Sequence, residues 1–117
     1  MRVADKPIAF IDIETSGLWP WKHEILELAC IRRDGKEVKR WSRKITPRAI
    51  HKADKKALEI IGYSADKWAD AIPLSEALEE MRVLMRGAVL CGHNVRFDLD
   101  FIDRNMKKET GTGRGFH

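Results

Sequence analysis

The stretch Ile8 to Gly17, I-A-F-I-D-I-E-T-S-G, constrains this chain more than any other. Branched and aromatic residues (Ile8, Phe10, Ile11, Ile13) fall on both sides of the alternation, as in a sheet-centre strand with both faces covered. Residues i and i+2 of a strand share a face, so Asp12 and Glu14 should point the same way, in line with Ile8 and Phe10. Two carboxylates ~5 Å apart repel by roughly 3 kcal/mol at an effective dielectric of about 20. Such a pair needs a cation or a proton, or else it sits at a solvated strand end. A divalent metal takes hard oxygen ligands of this kind. Thr15, Ser16 and Gly17 then release the chain into a turn whose backbone N–H groups can meet a phosphate.

With 117 residues the chain is at most one domain, able to bury about two-thirds of its unfolded surface. Its 22 basic against 18 acidic residues give a formal +4, a mild excess compatible with a polyanionic partner. Cys30 and Cys91 lie in apolar runs and have neither zinc spacing nor a disulfide framework. No signal peptide or bilayer-length apolar run is present, so the expectation is a soluble, cytoplasmic protein without a membrane partner.

After the acidic strand, Leu18 to His23 carries two tryptophans, more aromatic surface than a plain connector needs, for which packing over the strand ends or a substrate contact are the two roles. Glu24 to Arg33 should form a second strand, with Ile25, Ala29 and Ile31 on one face and Leu26, Leu28 and Cys30 on the other. Asp34-Gly35 is a hairpin signal, returning Lys36 to Thr46 antiparallel as a basic edge strand. A helix over Ala53 to Ile61 stopped by Gly62, and a Ser64 cap of a short turn, follow. The helix after Pro73 carries an apolar stripe of Leu74, Ala77, Leu78, Met81 and Leu84 or Met85, and Gly87 ends it. Ala88 to Cys91 is a short strand, and Asn94 should cap the last helix. On that helix Asp100 (beside Arg96 and Arg104) and Asp103 (beside Lys107) fit a solvated face. Asp98 differs. Its helical neighbours are Val95, Phe101 and Ile102, so its charge projects from the apolar side and needs a partner. The first turn of a helix packed beside the Asp12/Glu14 strand is a sensible place for a third metal ligand. Residues 107–117, with three glycines, are expected to be a flexible tail on a domain over residues 1–106.

F-I-D-I-E-T-S-G-L and, later, G-H-N-V-R-F-D-L-D-F-I make the chain resemble the DEDD-type, DnaQ-like 3′-to-5′ exonucleases. Asp12, Glu14, Thr15, Ser16, Gly17 and Leu18 match the first motif of that family, and His93, Asn94, Phe97 and Asp98 match the second. The resemblance implies a ribonuclease H-like α/β fold: an antiparallel three-strand meander plus a parallel strand, with flanking helices. It also implies a two-metal phosphodiesterase in which Asp12, Glu14 and Asp98 are catalytic and hold two Mg²⁺ or Mn²⁺ ions roughly 4 Å apart. Three carboxylates, two such ions and the scissile phosphate sum to neutrality. Substrate contacts would come from Thr15, Ser16, Gly17, Leu18, Asn94 and Phe97, with Leu18 either wedged against the terminal base or, as is common for a loop leucine, simply part of the core. Packing and capping are the plain alternatives for Phe97 and Asn94.

The family pattern continues with a third motif, H-x-x-x-x-D or a tyrosine version, that has no counterpart before His117. The implied domain is therefore C-terminally incomplete, without a fourth carboxylate or general base, and each loss costs about a hundredfold or more in rate. His93 follows a strand end at the margin of the site and is a poor substitute base, while His23 and His51 are expected in solvent. The function expected is a metal-dependent exonuclease domain acting at the 3′ ends of single-stranded DNA or RNA, weak or inactive as an isolated chain. The alternative is a non-catalytic nucleic-acid-binding or partner-binding module of the same fold. A basic run from Arg32 to Arg43 would give it sequence-blind affinity. An aspartyl-phosphate phosphatase is disfavoured, since the second acid is Glu and no later lysine motif follows a strand. A missing strand would leave an open edge beside Ala88 to Cys91, for which self-association into a homo-oligomer is expected.

Overall fold

The structure is a computed structural model that describes residues 6–110. Strands Ile8–Thr15 (β1), Ile25–Asp34 (β2), Glu37–Lys44 (β3) and Val89–Cys91 (β4) form one mixed sheet in the spatial order β3-β2-β1-β4. The first three make an antiparallel meander and β4 runs parallel to β1, as the sequence predicts. Asp34-Gly35 turns the hairpin with Gly35 at φ 59°, a conformation glycine adopts without a Cβ penalty.

Three α-helices, Lys55–Ile61 (α1), Leu74–Met85 (α2) and Val95–Thr110 (α3), complete the described chain. Asp54 caps α1 by accepting the Lys56 N–H at 2.9 Å, so this helix starts later than its apolar spacing suggests, after a 3₁₀ turn over Ile50–Lys52. Gly62 ends α1 in the left-handed region at φ 70°. The stripe on α2 is buried at Leu74, Ala77, Leu78, Met81 and Met85. It joins Ala9, Ile11 and Ile13 of β1, Leu28 and Cys30 of β2, and Phe101, Ile102 and Met106 of α3 in one core. The helix α3 continues through Thr110, so the first four residues of the expected tail are helical. Lys107, Lys108 and Glu109 are good helix formers and the first glycine comes only at position 111. The remainder of that tail lies outside the described residues.

Two expectations are corrected. Among the described residues only one face of β1 is covered, because α2 and α3 share a single core on that side; on the other, Phe10 is 44% exposed and Asp12 faces outward. The faces of β2 also do not alternate along its whole length. A bulge places Glu14 opposite Glu27 but Thr15 opposite Ile25, and the extra residue on β2 swings Ile25 into the core with Leu28. Among the described residues no helix is long and apolar enough to cross a membrane.

Candidate active site at the end of the first strand

β4 pairs with Ile8–Phe10, so from Ile11 onward that edge of β1 has no strand beside it among the described residues. The chain leaves β4 at Gly92, where a Cβ would lie 2.8 Å from the Ile11 carbonyl oxygen, and then enters α3. Only a glycine lets the backbone pass this close. Asn94 starts the helix, its Oδ1 accepting the Phe97 N–H at 3.3 Å and its carbonyl accepting the Asp98 N–H at 3.0 Å. Asp98 therefore sits in the first turn of α3, and its residue is only 6% exposed.

The acids form one electrostatic group. Burial first, then the nearby charges of Asp12 and Glu14, push the Asp98 carboxyl up to about 6, against a smaller opposing effect of His93. Glu14 is likewise held above its ordinary value by burial, by Asp12, and by Glu27 directly across the β1–β2 ladder. Glu27 is thus a further acid in the cluster. Like charges directly opposite on a sheet are destabilising, and a β-bulge immediately follows this pair. All the donors are carboxylate oxygens, the type that magnesium and manganese take. Among the described residues, however, no three His, Cys, Asp or Glu side chains are arranged to hold a metal ion together. The acids share a field without sharing a coordination geometry.

The turn after Glu14 is built by its own hydrogen bonds. Thr15 donates its hydroxyl to the Gly17 carbonyl at 2.6 Å. Ser16 is 1% exposed, its N–H bonded to the Glu24 carbonyl and its hydroxyl accepting the Glu24 N–H, both at 2.9 Å. Its side chain and amide close the loop. His23 is buried at 4% exposure, which corrects the solvent position expected for it. Its ring covers Gly17, where a Cβ would come within 2.3 Å of it, and its Nδ1 accepts the Trp19 N–H at 3.1 Å. His51 is exposed, as expected.

This packing turns the loop's apolar side chains outward: Leu18 is 69% exposed, Trp19 52% and Trp21 63%. Phe97 is half-buried with its ring 5.0 Å from that of Phe101, a packing contact, while Asn94 is occupied as a cap. Asp100 pairs with Arg104 at 3.3 Å on a wet face, but Asp103 is half-buried. Neither Glu27 nor His23 stands out as a site residue in the sequence. Glu27 enters the site through the β1–β2 register, which a long loop leaves unspecified, and the one hint of His23 was the glycine at position 17.

A family model described as Exonuclease (RNase_T) matches residues 9–111, a span that holds all four acids. The chain belongs to the DnaQ-like exonuclease family. Among its exonuclease-family relatives, the DNA polymerase III PolC-type protein of Staphylococcus haemolyticus is 29% identical over 98 residues, 83% of this chain and 7% of the relative. The PolC-type protein of Thermotoga petrophila is 28% identical over 102 residues, 86% of this chain and 7% of that protein. This exonuclease-family chain thus spans only 7% of the length of these curated relatives. Among solved structures, E. coli Exonuclease I in complex with a dT13 oligonucleotide superposes with a TM-score of 0.72 at 20% identity, over 86% of this chain and 24% of that one. Exonuclease I from Methylocaldum szegediense gives 0.71 at 20% identity, over 83% and 22%. At that identity the likeness is one of fold, a ribonuclease H-like sheet with flanking helices.

Proposed function

We propose that this chain is a metal-dependent 3′-to-5′ exonuclease domain that hydrolyses phosphodiester bonds at the 3′ ends of single-stranded DNA or RNA. One observation carries the reading: Asp98, from a helix far along the chain, is buried within electrostatic reach of Asp12 and Glu14 at the open end of β1. Nothing in the packing of a plain α/β domain calls for carboxylates to be gathered at a cost. Asp12, Glu14 and Asp98 would hold Mg²⁺ or Mn²⁺, with Glu27 adding negative charge. Such ions, when bound, activate water and stabilise charge on the scissile phosphate.

The chain's own residues supply the rest. Asn94 fixes the first turn of α3 and thereby the place of Asp98. Thr15, Gly17 and the Ser16–Glu24 bonds shape the turn that presents Leu18 to a terminal base. The DNA polymerase name of the relatives and the dT13 ligand of the Exonuclease I structure support a DNA strand as substrate.

A second reading, a nucleic-acid-binding module without turnover, is favoured by the absence of a three-residue metal cluster among the described residues. A 5′-labelled single strand incubated with Mn²⁺ distinguishes them. A ladder shortened from the 3′ end, abolished by chelator and by Asp12→Asn, supports the enzyme; an intact strand that is still bound supports the module. The outer edge of β4, unpaired in the described sheet, supports self-association, which sedimentation velocity tests: one concentration-independent monomer overturns it.

A further inference from the structure

Beyond Leu18 the loop departs from what a connector requires. Trp19 and Trp21 leave more than half of their surfaces in solvent, and their rings stand 5.1 Å apart at 34°, a tilted stack. Each indole offers a large flat apolar face on which another ring can stack. Their backbone is held: the Trp19 carbonyl accepts the Lys22 and His23 N–H groups at 2.9 and 2.7 Å, and His23 Nδ1 grips the Trp19 N–H. The pair is therefore presented on a braced turn.

Beside it opens a cleft of about 360 Å³ with Trp21, Lys22, His23, Arg48 and Lys52 in its lining. The far wall is fixed by Glu24, whose carboxylate accepts the Arg48 and Ala49 N–H groups at 2.8 and 2.9 Å. Three basic side chains from two separate loops thus line a cleft shared with one of the indoles. Aromatic faces beside tracking positive charge are the chemistry that holds single-stranded nucleic acid without reading its sequence.

We propose that Trp19 and Trp21 form a base-stacking platform for a single strand, with Lys22, Arg48 and Lys52 meeting its phosphates as it leaves the acidic end of β1. The ligand class rests on the nuclease reading above, but the platform itself stands on the indoles and the cleft. An indole stacks on any base, so the platform selects for unpaired bases and not for sequence.

Binding is measured by fluorescence anisotropy in chelator, where no hydrolysis occurs, using a labelled oligothymidylate, an abasic strand of equal length, and a duplex. Wild type should prefer oligothymidylate to the abasic strand and to the duplex by on the order of ten- to a hundredfold. Trp19→Ala/Trp21→Ala should abolish that preference, and Trp19→Phe/Trp21→Phe should restore most of it. Lys22→Ala/Lys52→Ala should weaken both single strands and lower the salt slope by about 1.4. Circular dichroism confirms that each variant is folded. Undiminished discrimination in the folded Trp19→Ala/Trp21→Ala variant overturns the platform, as does tryptophan-dependent binding to anionic vesicles but not to oligothymidylate. Loss of the platform with intact chelator-sensitive shortening would leave the nuclease reading standing. Tryptophan-dependent binding without shortening would do the reverse.

Discussion

Asp98 is the residue in which fold and function oppose each other. Its carboxyl is raised from 3.8 to about 6, so between those values the folded state holds a proton that the unfolded state has released. The stability it contributes is complete below about pH 4, falls as pH rises toward 6, and is a penalty above that. Asp98→Asn cannot ionise and should stabilise the metal-free protein by roughly 2 kcal/mol at pH 7.5, with no gain near pH 4. Urea denaturation at the two pH values checks this, and equal effects at both would show that the burial costs nothing. Gly17 makes an independent claim. A methyl there enters the space of the His23 ring, so Gly17→Ala should cost about 1–3 kcal/mol in the same measurement.

At the scale of elements, the strands and helices were largely legible because each announces itself locally. Asp34-Gly35, Gly62, the α2 stripe and the Asn94 cap depend on residues within a turn or two of one another. The bulge after Glu14 was not legible, since register across a nine-residue loop is decided by packing, and it moved Ile25 to the opposite face. For the same reason Glu27 could not be placed opposite Glu14, nor His23 under its loop, from their neighbours in sequence. Asp98 was legible because a lone acid broke an apolar stripe. Arg32 shows how long-range contacts bind the elements together. It leaves β2 to donate from Nη1 to the carbonyls of Leu84 and Arg86 at 2.6 and 2.7 Å, satisfying the end of α2, while its Nε pairs with Asp34 at 2.8 Å. Arg32→Met should cost about 2 kcal/mol by urea denaturation, since charged hydrogen bonds to orphan carbonyls are lost. Arg43→Met, which removes a half-exposed pair with Glu80, should cost under about 1 kcal/mol. Equal losses would remove Arg32 from this role.

Across the whole molecule, a formal charge of +4 hides a segregation. Basic residues line β3 and the cleft beside Trp21, while Asp12, Glu14, Glu27 and Asp98 gather at one end of β1. A polyanion is drawn by the first set and repelled by the second, unless cations intervene. The account's central claim is that divalent cations belong there. Titration of Mn²⁺ into the protein at pH 7.5, followed by the free-ion electron paramagnetic resonance signal, tests it most directly. Wild type should withdraw Mn²⁺ from solution, and Asp12→Asn and Asp98→Asn should each sharply reduce that uptake; identical signals from wild type and both variants would contradict it.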